Sequence, residues 1–380
     1  MNLTSGHRFR VTYELRGTAS SVEEQARLLA VEQTIEFPPA FVDDVRILAE
    51  VVGQIETIRQ VEGRVFHVVV GYAEETASGE FTQFLNVLFG NISLQEGIRI
   101  VGLDLSDVAV PWWKGPRFGV EGLRRRVGVP HRAMLCTAVK PMGLSAEAMG
   151  ELAGQFALGG VDFVKDDHGL ANQTFAPYRE RWLRCLDGIH RANARTGRSC
   201  GFVANVTAPR HELEARAMLA KELGAAAVMV APGIVGLDVL GHLSGLPGLD
   251  LPVVSHPAML GALSSNPTHG IAHDVLFGTL NRLAGADAAI FPSFGGRFSP
   301  TKEICGSVAG ACRSPGPLRA CLPAPGGGIR IEQVREAVRF YGRDVVLLIG
   351  GDLHSGSAGI PQTCAAVVER LEDEYSGREN

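Results

Sequence analysis

From residue 131 onward the chain repeats one pattern eight times: a short apolar run rich in β-branched residues, then a stretch of helical length. The runs fall at 134–139, 161–165, 201–206, 226–230, 251–255, 288–291, 318–322 and 344–349. Near-continuous apolar runs of this length suit strands buried on both faces, and stretches such as 212–223 and 331–341 carry helical spacing between them. Only the segment after the fourth run lacks a clear helical pattern. Eight βα units in about 250 residues predict a (β/α)8 TIM barrel. Right-handed crossovers would place every strand's C-terminal end, with the loops that carry chemistry, on one face. An open doubly wound sheet is the competing architecture, but its G-x-G-x-x-G first turn is missing.

The N-terminal part reads differently. Strands are expected at 8–15, 64–72 and 97–104, with helices at 21–34, started by a serine cap with Glu23 and Glu24 in the first turn, and at 81–89. This order predicts an α+β, ferredoxin-like domain with an antiparallel sheet over residues 1–110. The segment PWWKGPRFG at 111–119 cannot continue a helix. The expected organisation is therefore a domain at 1–110, a linker at 111–130 and the barrel at 131–380. The cluster Arg124-Arg125-Arg126 reads as a helix end.

Composition narrows the partners. With 36 basic and 41 acidic residues the net charge is −5, and no basic stripe is present, which argues against nucleic acid. Seven widely spaced cysteines without a C-x-x-C pair suit reduced thiols in a cytoplasmic protein and give no zinc signature. No uncharged apolar run is long enough to span a membrane, and the polar opening MNLTSGHRFRVTYEL gives the expectation of no signal peptide.

Chemistry-bearing residues sit where the predicted strands end. Lys140 follows strand 1, and Lys165-Asp166-Asp167-His168 ends strand 2. A lysine at such a position is costly to desolvate and seldom serves packing. It can transfer protons, and with a depressed pKa it can react with carbon dioxide or a carbonyl. Asp167 beside Lys165 and His168 could complete a metal site; a structural Lys–Asp ion pair is the plainer reading. Gly326-Gly327-Gly328 after strand 7 and Gly350-Gly351 after strand 8 lie in the two loops that recurrently bind phosphate in this fold, although tight turns alone would also use glycine. Arg297, in the glycine-rich loop after strand 6, could grip a phosphate or carboxylate. His256 ends strand 5 and could equally be a hydrogen-bonded core histidine. Asn205, near the end of strand 3, could orient a substrate or satisfy a turn, and is given no role.

The segments GPRFGVEGLRRRVGVPHRAMLCTAVKPMGLS and GGVDFVKDDHG resemble the RuBisCO superfamily, whose comparable segments read T-x-K-P-K-x-G-L-S and G-G-x-D-F-x-K-D-D-E. The resemblance runs from about Glu32 to Gly359. It implies a homodimer whose shared active sites borrow N-domain residues, and Glu32 and Asn91 match those donated positions. It further implies that Lys140 serves enolisation, and that Lys165 is carbamylated to hold Mg2+ with Asp167. Gly327, Gly328, Gly350 and Gly351 match one phosphate site, and His256 matches the strand-5 histidine.

The departures matter as much. His168 replaces the metal-binding glutamate, which leaves open magnesium, a softer divalent metal with His168 as a ligand, or no metal. Met142 stands near the second strand-1 lysine, Arg297 at the mobile-loop lysine, Pro257 at an arginine, the Ile290-Phe291 stretch at a histidine, and residues 34–38 at T-G-T-W-T. The chain is thus similar to the RuBisCO-like, form IV group and is not expected to carboxylate ribulose bisphosphate. Both losses on strands 5 and 6 fall in the family's second phosphate site, so a substrate with one phosphate is expected. The resemblance implies an enolate-forming enzyme. The leading expectation is a decarboxylase or transcarboxylase/hydrolase on a substrate like 3-oxo-isoapionate 4-phosphate. The alternatives are an enolase or isomerase of a methylthio-sugar phosphate and, from another class, an inactive binding protein.

Overall fold

The computed structural model describes residues 2–108, 113–298 and 300–376; residues 111 and 112 of the expected linker lie outside the described residues. The chain divides into two compact units, Met1–Lys114 with Leu260–Thr279, and Gly115–Met259 with Leu280–Asn380.

The first unit runs β1 (Arg8–Arg16), α1 (Ala19–Glu32), β2 (Gln54–Glu62), β3 (Val65–Ala73), α2 (Phe81–Phe89) and β4 (Ile98–Asp104). The four strands lie in the order β4-β1-β3-β2 with antiparallel neighbours, which is the ferredoxin-like βαββαβ order. Period-2 patterning sets its core: Phe9, Val11, Tyr13 and Leu15 of β1 are fully buried. Two details differ from expectation. Helix α1 starts earlier because Thr18 is the cap, and Ser21 is the third helical residue, its side chain returning to the Thr18 N–H at 2.9 Å. Glu23 and Glu24 therefore lie beyond the first turn. Strand β2 was not anticipated, because bulges between Ile55 and Thr57 and between Gln60 and Glu62 space its apolar residues by three and mask the alternation.

The second unit is the barrel: β5 (Met134–Ala138), β6 (Phe163–Lys165), β7 (Gly201–Asn205), β8 (Ala227–Val230), β9 (Val253–Ser255), β11 (Ala288–Pro292), β12 (Leu322–Gly326) and β13 (Val346–Leu348). Between β9 and β11 the chain leaves to contribute β10 (Gly270–Ile271) to the first unit, parallel to β4. That excursion lies inside the range read as barrel. The eight strands are all parallel, and the order β12-β11-β9-β8-β7-β6-β5-β13 is sequential, which excludes the doubly wound alternative. Its two ends, β12 and β13, lie side by side, with a Cβ built on Gly326 reaching Leu348 at 3.1 Å. No ladder joins them among the described residues.

That seam explains a misplacement. Strand 7 was expected at 318–322, but β12 is Leu322–Gly326, in which Pro323 and Pro325 looked like loop. Proline cannot donate to a ladder and is tolerated where one side has no partner strand.

Alternate residues of the strands fill the barrel, among them Met134, Cys136, Phe163, Val203, Met229, Val254, Ile290, Ala324 and Val346. The same cluster holds Val120, Leu123 and Val127 of α3 (Gly119–Val127), a helix inside the 111–130 stretch read as a linker. Few apolar residues and a glycine at each end of its run left the arginine cluster as its one sign in the sequence. Buried Asp287 accepts the N–H groups of Phe118 and Gly119 at 2.6 and 2.7 Å. At the other end Gly128 adopts φ 66°, a left-handed conformation that ends the helix, and Arg124 donates to Asp344 at 2.8 Å. The triple arginine does form this helix's last turn. Helix α3 thus plugs the barrel floor. Leu123→Ala should lower unfolding stability by about 2–5 kcal/mol in urea titration monitored by circular dichroism, with the native fold retained.

Candidate active site

The period-2 rule that fills the barrel also arms its mouth. Lys165 follows inward-facing Phe163 by two residues, Asn205 follows Val203, and His256 follows Val254. Lys165 ends β6 and is 3% exposed. Its Nζ donates to the Asp166 carbonyl at 3.0 Å and lies 3.6 Å from Asp167 Oδ1. Burial draws its pKa down, opposed by the Asp167 charge.

The two aspartates that follow serve opposite purposes. Asp166 is fully buried and turned away, accepting from Arg181 at 2.9 Å on each oxygen and from Trp182 Nε1 at 2.8 Å. Both donors come from α5 (Tyr178–Thr196), the helix after β6, which follows α4 (Ala146–Leu158) along the chain. Asp167 faces the mouth. Lys140 Nζ donates to its Oδ2 at 3.1 Å, and His168 Nδ1 lies 3.3 Å from its Oδ1. Burial alone would raise the Asp167 carboxyl. The His168 hydrogen bond and the charges of Lys165 and Lys140 outweigh that and hold it well below the usual carboxylate range.

The exposed His168 ring stacks on His256, with centroids 4.2 Å apart and planes inclined by 16°. His256 Nδ1 accepts the Ala258 N–H at 3.2 Å, so the proton of the neutral ring sits on Nε2. Burial, followed by the charges of Lys165 and His168, pushes its pKa down to about 2. His256 is therefore a fixed N–H donor and a poor base. Lys140, Lys165, Asp167, His168 and His256 form one constellation on the strand 1, 2 and 5 ends.

The glycine loops lie on the neighbouring strands, since β13 pairs with β5. Gly327 and Gly328 take φ values of 86° and 132°, closed to other residues without strain. A Cβ on Gly328 would come 3.0 Å from Gly296 Cα and 3.1 Å from Arg297 N. The loop bearing Arg297 therefore packs backbone to backbone on the strand-7 loop, and Arg297 N donates to Gly327 O at 2.9 Å. Gly350 and Gly351 differ: a Cβ on either would meet nothing within 4 Å. Open space at a glycine pair at the seam is what a bound group would fill. The two loops are tied by Asp352, which accepts the Ile331 N–H at 2.6 Å. The Arg297 guanidinium is exposed and lies 5.6 Å from the Phe298 ring.

Glu32 and Asn91 meet within the first unit. Asn91 Nδ2 donates to Glu32 Oε1 at 3.1 Å and also to Glu36. Gln33 holds this corner, donating to the carbonyls of Asn86 at 2.8 Å and Val87 at 2.7 Å while accepting from Ile92 N at 3.2 Å. Gln33, Asp352 and Asp166 had no role in the sequence reading. Each is a polar side chain whose partners are backbone groups or distant residues, which spacing does not reveal.

Among the described residues no group of three His, Cys, Asp or Glu side chains is placed to hold a metal ion. Asp167 and His168 fit two ligand positions, and a carbamate on Lys165 would supply the hard oxygens that the unmodified amine lacks. The described residues also contain no helix long and apolar enough to cross a membrane.

The family model of the ribulose bisphosphate carboxylase large chain, catalytic domain, matches residues 119–303. The chain is 40% identical to ribulose bisphosphate carboxylase-like protein 1 of Rhodopseudomonas palustris, over 91% of this chain and 92% of that protein. It is 37% identical to the 5-methylthioribulose-1-phosphate isomerase of Rhodospirillum rubrum, over 95% of each. A rubisco-like protein (MtnW) from Alicyclobacillus acidocaldarius superposes with a TM-score of 0.89 at 34% identity, covering 97% of this chain and 94% of that one.

Filling the open cradle tests it directly. Gly351→Val should leave the melting temperature unchanged but weaken calorimetric binding of inorganic phosphate by about tenfold or more. Unchanged binding would remove the strand-8 loop from the phosphate site.

Proposed function

The chain belongs to the RuBisCO superfamily as a RuBisCO-like protein, and from that premise we propose that it enolises a monophosphorylated keto-sugar carrying a methylthio group. The isomerase named in Rhodospirillum rubrum, similar over nearly the whole length of both chains, supports this reading over the decarboxylase expected from sequence. The observation that carries the chemistry is the Asp167–His168 pair flanked by two lysines.

In this reading Asp167 accepts the Nδ1–H of His168, which leaves Nε2 as the basic nitrogen of that ring. His168 Nε2 takes the proton from the carbon beside the substrate carbonyl. The ammonium of Lys140, the more exposed of the two lysines, stabilises the developing enolate oxygen, with the His256 Nε2–H as a further donor. Lys165 adds charge from below without reaching solvent. Returning that proton to the former carbonyl carbon, while the neighbouring hydroxyl gives its proton to the enolate oxygen, completes an isomerisation. Gly327, Gly328, Gly350, Gly351 and Arg297 bind the single phosphate. Glu32 and Asn91 are the residues a partner subunit would lend in a cytoplasmic homodimer. Were Lys165 carbamylated instead, that carbamate and Asp167 would hold a divalent cation, which would supply in place of the ammonium the charge that an enolate oxygen needs, and His168 would stay the base.

Decarboxylation of a 3-oxo-isoapionate 4-phosphate-like acid is the second reading. The Lys140 ammonium and the His256 N–H suit it, because they would receive the enolate that loss of carbon dioxide leaves, a step that needs no base. The two readings separate in deuterium oxide. With 5-methylthioribulose 1-phosphate the expected result is solvent deuterium at the carbon next to the carbonyl, reduced about a hundredfold or more by Lys140→Met. Carbon dioxide release from the oxo acid, with no exchange into the keto-sugar, would shift the assignment to the lyase. Tight binding with neither reaction would identify an inactive binding protein. By calorimetry, a keto-sugar monophosphate should bind more tightly than the corresponding bisphosphate.

A further inference from the structure

We propose that Asn205 and Thr207, at the C-terminal end of β7, form a bracket that sets the spacing of the His168–His256 stack and so positions the base and the N–H donor of the proposed reaction. Asn205 is 2% exposed, and every polar atom of its side chain is committed. Its Nδ2 donates to the carbonyls of Asp167 at 3.2 Å, His168 at 3.3 Å and Leu170 at 2.9 Å. One amide therefore gathers the loop that presents Asp167 and His168. Its Oδ1 accepts from Thr207 twice, from the backbone N–H at 3.1 Å and from the hydroxyl at 2.7 Å.

The Thr207 hydroxyl carries the connection onward by accepting the Ala231 N–H at 3.0 Å, just past the end of β8. Neighbouring Val230 accepts the His256 N–H at 2.9 Å. An unbroken line of hydrogen bonds thus runs from the His168 carbonyl, through Asn205, Thr207 and the β8 terminus, to the backbone of His256. The two rings sit on strands 2 and 5, and strands 3 and 4 between them supply the spacer. A loop residue such as His168 has no ladder of its own to fix it. An asparagine that donated only to solvent or to its own turn would leave the imidazole spacing to chance.

Neither residue reaches substrate in this scheme. Both are positioning residues, and a displacement of about 1 Å is enough to cost a hundredfold in rate. The catalytic part of the inference rests on His168 as the proton carrier, whereas the structural part stands without it.

The test uses the full-length protein and three variants. Thr207→Val keeps the shape and removes the hydroxyl, Thr207→Ser restores it, and Asn205→Asp replaces a donor by an acceptor facing three carbonyls. The first readout is the imidazole ring-proton NMR shifts of His168 and His256, assigned with single His→Gln variants. Each ring lies in the other's shielding cone, so separation of the stack moves these signals downfield. The second is the rate of deuterium exchange into 5-methylthioribulose 1-phosphate, resolved into kcat and KM.

Thr207→Ser should match the wild type. Thr207→Val and Asn205→Asp should lose the ring shielding, and kcat should fall by about 10- to 100-fold while KM changes less than twofold. Unmoved ring signals in folded Thr207→Val, or equal damage in Thr207→Ser, would overturn the proposal. If Asn205→Asp does not fold, the two threonine variants decide. If the wild type exchanges no proton from the keto-sugar, the functional reading fails while the ring signals still decide the bracket.

Discussion

A single carboxylate, Asp167, makes the barrel mouth possible. Two lysine ammonium groups approaching one another in a partly desolvated site repel, and Asp167 is the counterion between them. Asp167 meets Lys140 with one oxygen and faces Lys165 and His168 with the other. The result is a cluster with excess positive charge, pre-assembled before any ligand arrives. In the proposed reaction such a cluster would attract a phosphorylated substrate and stabilise an enolate for the same electrostatic reason.

Its neighbour shows how little separates scaffold from site. Asp166 and Asp167 are adjacent in sequence, yet the alternation of an extended backbone sends them to opposite sides. Asp166 meets an arginine and a tryptophan from the following helix and is sealed from water. That pairing anchors the start of the loop whose next two residues stand at the barrel mouth. Asn205 anchors the rest of it from the other side.

What sequence could reveal depended on whether a residue's neighbours were local. The βα repeat was legible because both-faces-buried strands are apolar throughout. The convergence of Lys140, Lys165, Asp167 and His168 followed from their places at strand ends. Strand 7 was misplaced because Pro323 and Pro325 signal loop everywhere except beside an unpaired edge. The bulged strand Gln54–Glu62 hid its period, and the plugging helix Gly119–Val127 was short and arginine-rich. Asn205 looked like a turn residue because its three acceptors are backbone carbonyls from another strand's loop, and a sequence does not state where those will be.

The missing ladder between β12 and β13 gives the barrel a mechanical property of its own. In hydrogen-bond terms it is a strip rolled into a tube and left unstitched, held at the join by side-chain packing such as Leu348 against Gly326. The join runs up to the two glycine loops, and across it Asp352 reaches from one loop to the other. A phosphate seated between those loops would act as a clasp, accepting N–H bonds from both sides of the join. Substrate would then be a temporary structural component of the barrel. On the proposed function, the barrel would be most compliant where product must leave and stiffest while the reaction is under way.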